Sequence, residues 1–94
     1  MGIDLMPRHG GFGLRYNWAG WRGLRQLTKL DLPLMNDGEE IPAKVCEQIA
    51  TIIEANAEWY NHEYGSPKEG GGYGEAPAAE HAEFWRNSTG VEVW

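Results

Sequence analysis

Between Pro42 and about Tyr60, seven apolar side chains (Val45, Cys46, Ile49, Ile52, Ile53, Ala57 and Tyr60) recur at helical spacing and fall on one face. Lys44, Glu47, Gln48, Thr51, Glu54 and Glu58 fall on the other. Pro42 suits the first helical position, where its missing N–H is no loss. Such an amphipathic helix, about five turns long, must bury its stripe. A chain of 94 residues has room for one core only. The expectation is one domain, 1–94, arranged around this helix.

The flanking segments supply what covers the stripe. Phe12, Leu14, Tyr16 and Trp18 alternate with Gly11, Gly13, Arg15 and Asn17, which predicts a half-buried strand over about 11–17. Met1–Arg8 reads as a lead-in closed by Pro7. Asn17 is placed to cap a helix from Trp18 to about Lys29, weakened at its start by Gly20 and Gly23. Pro33 and the turn signal Asn36-Asp37-Gly38 follow, with a short edge strand at Leu32–Met35. Gly65–Gly74 holds five glycines and a proline, which predicts a flexible loop over 65–76, open to proteolysis near Lys68. Pro77 starts a last helix through Phe84, Trp85 and Arg86, stopped at Ser88-Thr89-Gly90, and Val91–Trp94 closes the chain as a strand. The predicted class is α+β: a small antiparallel sheet of two or three short strands packed by two or three helices. The 11–17 strand pairs with the closing one, and the long helix lies across them.

Charge narrows the function classes. The net charge of −6 is unevenly distributed. Residues 1–29 carry Arg8, Arg15, Arg22, Arg25 and Lys29 against Asp4 alone; residues 30–94 carry three basic groups against thirteen acidic ones. An acidic majority argues against direct nucleic-acid binding, which needs a basic field. The basic third is left to receive a small anion or to pair with the acidic remainder. No apolar run approaches the roughly 20 residues of a membrane span. The lone Cys46 offers no disulfide framework and no apolar leader is present, so the expected setting is cytoplasmic. Eleven aromatics, five of them Trp, exceed what so short a core hides comfortably, which predicts a homo-oligomer.

No catalytic set assembles. Cys46 lies on the apolar stripe, where a thiol acts as a small hydrophobe. Glu58, His62, Glu80 and His81 match no established metal spacing, and Gly10-Gly11-Phe12-Gly13 lacks the Lys-Ser/Thr of a phosphate loop. No cofactor is implied. The densest chemistry is Arg15-Tyr16-Asn17-Trp18-Ala19-Gly20-Trp21-Arg22, which interleaves cations, aromatics and an amide. Such a set stacks a planar ring and pairs with a phosphate or carboxylate; it equally suits a Trp-rich core with Arg stacked over it. The candidate ligand-binding residues are Arg8, His9, Arg15, Tyr16, Asn17, Trp18, Trp21, Arg22 and Arg25.

The glycines of the opening, Tyr16-Asn17, Gly20-Trp21, Asn36-Asp37-Gly38 before an apolar helix, Phe84-Trp85-Arg86 and Gly90-Val91-Glu92-Val93-Trp94 together resemble a group of small uncharacterised proteins from bacteria and their phages. The likeness spans most of the chain, with Gly65–Gly74 resembling an insertion. It implies no established activity; in size and acidity the chain is similar to phage counter-defence factors, an analogy only. Two expectations follow. One is a non-enzymatic sponge that sequesters a small anionic, nucleotide-type signal at Arg8–Arg22, acting in the host cytoplasm if phage-encoded. The other is an acidic inhibitor of a host defence protein, similar to anti-CRISPR proteins, that blocks a nucleic-acid-binding surface.

Overall fold

The computed structural model describes residues 2–65 and 73–94. Within them the order is β1 (Gly2–Pro7), β2 (Leu14–Asn17), α1 (Trp18–Thr28), β3 (Glu40–Ile41), α2 (Ala43–Ala55), α3 (Ala57–Tyr64), α4 (Pro77–Asn87) and β4 (Val91–Val93). The class is α+β, with four strands and four helices among the described residues, one more of each than the upper expectation.

The sheet is antiparallel throughout, in the order β2-β1-β4-β3. Ile3 and Leu5 of β1 align with Tyr16 and Leu14 of β2, and Leu5 aligns with Val93. Strand alternation therefore sends Ile3, Leu5, Tyr16, Ile41, Val91 and Val93 to one face, where all six are buried against the helices. Asp4, Met6, Arg15, Glu40 and Glu92 point to the other, solvated face. Two sequence readings are corrected here. The opening segment is no lead-in but the inner strand β1, so β2 and β4 each pair with it and not with one another. Leu32–Met35 is not a strand: Pro33 has no N–H to donate to a ladder, and its carbonyl accepts from Trp21 Nε1 at 2.8 Å. The edge is instead Glu40–Ile41, just after a turn in which Gly38 adopts φ +90° beneath the Trp94 ring.

The long amphipathic stretch folds as two helices. At Asn56 (φ −122°, ψ 32°) the side-chain amide donates to Ile52 O at 2.8 Å, and the backbone N–H is shared between the carbonyls of Ile52 and Ile53. A local side-chain bond of this kind competes with the helical ladder. Helix α3 then resumes at Ala57 and runs four residues past the expected end. Pro42 sits one position outside α2, as its N-cap. Helix α4 starts at Pro77 as expected, and its first turn is capped from α3: Ala78 N–H donates to Asn61 Oδ1 at 2.7 Å. Asn17 caps α1, accepting from Gly20 N–H at 2.6 Å. Most of the expected loop at 65–76 lies outside the described residues, as does the cleavage expected near Lys68.

Helix α2 packs chiefly on α4, and Cys46, Ile49, Ala50 and Ile53 supply the contact stripe. Cys46 is fully buried, and burial pushes its thiol up to about 11, so it stays protonated. No helix among the described residues is long and apolar enough to cross a membrane.

Candidate functional site

The nine candidate residues lie within positions 8–25 of the sequence but are scattered in space. Arg8, just past β1, pairs with Glu40 at 3.2 Å. Arg15 faces the open side of the sheet, and one guanidinium nitrogen lies 3.0 Å from each Asp4 carboxylate oxygen. Both cations thus have acidic partners, Arg8 from the acidic part of the chain and Arg15 from the neighbouring strand. His9 is exposed in the β1–β2 turn, three residues before Phe12, which is 95% exposed. Tyr16 and Trp21 lie inside the core, at 0% and 2% exposure, and neither ring is offered to a ligand. Trp18 is half-buried against that core. Arg25 is half-buried, with its Nε lacking a hydrogen-bond partner among the described residues. Asn17 and Arg22 alone of the nine line a common cleft.

That cleft, about 350 Å³, runs between α1 and α3. Its α1 wall is Asn17, Gly20, Arg22, Gly23 and Gln26; its other wall is Trp59, Glu63 and Tyr64, with Tyr73 beside them. The glycines set its shape. A Cβ on Gly20 would lie 3.1 Å from the Tyr64 ring, and one on Gly23 would lie 2.9 Å from its hydroxyl. Tyr64 can therefore lie flush against α1, where its hydroxyl donates to Gly20 O at 2.5 Å. Trp59 meets Tyr64 edge-on at 6.2 Å and remains 43% exposed, so its ring is available for stacking. Tyr73 is held by its N–H on Tyr64 O at 3.1 Å and by its hydroxyl, which donates to Arg15 O. Arg22 makes no ion pair among the described residues. Among the described residues, Glu63 has one side-chain hydrogen-bond partner, the exposed His62 Nδ1, reached through one oxygen at 3.2 Å.

A buried polar chain lies behind Tyr64, in the core. Trp85 Nε1, which can only donate, reaches Tyr16 Oη at 3.2 Å; Tyr16 and Tyr60 hydroxyls are 2.6 Å apart, and Tyr60 Oη lies 2.5 Å from His81 Nδ1. Burial holds the His81 imidazole down at about 4, so at neutral pH it is uncharged. One proton arrangement satisfies all of this: Trp85 donates to Tyr16, Tyr16 to Tyr60, and Tyr60 to His81 Nδ1, leaving the imidazole proton on Nε2. Burial also raises the Tyr16 and Tyr60 phenols well above their ordinary range. The chain is thus neutral, and it orients Tyr60, on which Tyr64 stacks at 4.2 Å with 24° between the rings. His81, named in the sequence only with Glu58, His62 and Glu80 as a set lacking metal spacing, is a structural acceptor.

Sequence reasoning missed Gln26, Trp59, Glu63, Tyr64 and Tyr73. A signal existed for three of them: Trp59/Glu63 and Tyr60/Tyr64 are two pairs at helical i, i+4 spacing, lost by ending the helix at Tyr60. Among the described residues, no three His, Cys, Asp or Glu side chains converge as metal ligands. No family model matches this chain, and neither curated proteins nor solved structures provide a significant match.

Proposed function

We propose that this protein is a non-enzymatic binder that captures a small anionic ligand of nucleotide type in the α1–α3 cleft. The supporting observation is the presence of Arg22, without an ion pair among the described residues, in the same cleft as the exposed Trp59 ring. A cation and a ring face together bind an anion joined to a planar base: stacking contributes roughly 1–3 kcal/mol per base, and a charge-assisted hydrogen bond about 1.5–3 kcal/mol. The cleft is preshaped by Gly20, Gly23 and Tyr64, which lowers the ordering cost of binding. Sequestration of such a signal, as a phage counter-defence sponge would perform it, requires capture and no chemistry.

Thermal shift against mono-, di- and cyclic nucleotides tests this directly, because a ligand at a hundred times its Kd stabilises by about 2.7 kcal/mol. Arg22→Ala is expected to weaken binding by about 10- to 100-fold. Arg22→Lys also weakens it, since Lys lacks the bidentate fork. Arg15→Ala, on the open sheet face, leaves it unchanged. The absence of a shift with every nucleotide would overturn the reading.

A second reading is favoured by the exposure of Glu47, Glu58, Glu80 and Glu83 on α2, α3 and α4, where none of them pairs with Lys or Arg among the described residues. Such a surface suits an inhibitor that occupies a nucleic-acid-binding groove on another protein. It reverses the order of effects: Glu58→Lys with Glu80→Lys then abolishes activity, while Arg22→Ala is silent. Phe12, Leu34, Met35 and Trp94 are each more than half exposed, and we assign self-association to this apolar exposure. Sedimentation at tens of micromolar, a working range for a specific interface, is expected to give a dimer; a monomer alone would contradict it.

A further inference from the structure

We infer that the ligand of the α1–α3 cleft is a guanine nucleotide with a single phosphate. The inference rests on the reading that this cleft binds a nucleotide. Among the described residues, its walls carry one cation, Arg22 on α1, and one carboxylate, Glu63 on α3. With those charges balanced, the cleft gives no excess positive field for a polyphosphate, and one phosphate on Arg22 matches its charge.

Glu63 selects the base. A carboxylate only accepts hydrogen bonds, and its two oxygens suit two parallel donors. Guanine alone among the common bases presents two adjacent donors, N1–H and N2–H, on its pairing edge. Adenine sets its N1 acceptor against the carboxylate, cytosine sets N3, and uracil offers one donor between two carbonyls. His62 Nδ1 reaches only Oε2 of Glu63, at 3.2 Å and in solvent, so it competes weakly. The α1 wall complements the guanine carbonyl. Asn17 Oδ1 is held by Gly20 N–H, which turns its amide NH₂ away from that bond, and Gln26 adds a second amide. The exposed Trp59 ring supplies the stacking surface. A cleft of about 350 Å³ lies near the lower end of the roughly 300–1,000 Å³ typical of ligand pockets. It holds one nucleotide unit, not a cyclic dinucleotide.

Calorimetric titration with 3′,5′-cyclic GMP, cyclic IMP, cyclic AMP, cyclic di-GMP and GTP tests the inference. Cyclic GMP is expected to bind most tightly. Cyclic IMP, which lacks the N2 amine, is expected to bind about tenfold more weakly, and cyclic AMP at least about a hundredfold more weakly. Glu63→Gln is expected to reduce cyclic GMP affinity by tenfold or more while leaving cyclic AMP no weaker and the melting temperature unchanged. Arg22→Ala weakens every nucleotide. Equal affinity for cyclic AMP and cyclic GMP, or Glu63→Gln without effect on cyclic GMP, would overturn the guanine assignment and leave the cleft reading standing. Tighter binding of GTP or cyclic di-GMP would overturn the single-phosphate assignment. No binding by any of the five, with Arg22→Ala indistinguishable from the parent protein, would overturn both.

Discussion

Ile49→Asp is expected to abolish cooperative unfolding. Ile49 has no solvent exposure and stands between Cys46 and Ile53 on the α2 stripe that packs against α4. A carboxylate there loses its hydration and gains no cation: Arg86, the basic residue of α4, lies on the exposed side and is held by Glu54 at 2.6 Å and Thr51 at 3.1 Å. An unpaired buried charge costs several kcal/mol or more, set against a total stability of roughly 5–15 kcal/mol for a whole domain. Glu47→Lys, on the exposed side of the same helix, is expected to change stability by no more than about 0.5 kcal/mol. Urea titration followed by circular dichroism separates the two. A soluble Ile49→Asp protein with a sharp transition would contradict the packing of α2 on α4.

Acid is expected to weaken the fold through His81. Burial depresses its folded-state pKa to about 4 from an ordinary value of 6.5. Above pH 6.5 the imidazole is neutral in both states and the Tyr60–His81 bond is intact. Between pH 6.5 and about 4 the unfolded chain takes up a proton that the folded one refuses, so stability falls as pH falls. Below about pH 4 this contribution is exhausted. At about 1.4 kcal/mol per pKa unit, the loss reaches about 3 kcal/mol. His81→Asn places an amide oxygen near Nδ1 to accept from Tyr60 and does not titrate. Its stability is expected to fall less steeply than the parent's between pH 7 and pH 4, the difference isolating His81 from the carboxylates. Parallel slopes for the two proteins would show that His81 takes up its proton in the fold.

Local signals carried much of the fold. The stripe from Val45 to Ile53, the Asn17 cap, Pro77 at the head of α4 and the closing Val91–Val93 strand all depend on neighbours a few residues away. What failed were features decided by tertiary competition. Ile3 and Leu5 are too short an alternation to declare a strand without β2 and β4 on either side. Asn56 looks like a polar lapse in one helix until its amide is seen on Ile52 O. The site was obscured for the same reason. Strand alternation put Tyr16 inside and Arg15 outside, so adjacent letters became opposite faces of a sheet. Arg8 met an acid 32 positions away, and Arg22 shares its cleft with Trp59 and Tyr64, which lie on α3 beyond the break at Asn56.

Amide shift mapping of isotope-labelled protein titrated with 3′,5′-cyclic GMP tests most directly whether the cleft is the binding site. Saturable shifts concentrated at Gly20, Arg22, Gly23, Gln26, Trp59 and Glu63, the residues that line it, are the expected result. Saturable shifts centred instead on the Arg8–Phe12 turn or on Asp4 and Arg15 of the open sheet face, with the cleft residues unmoved, would contradict it.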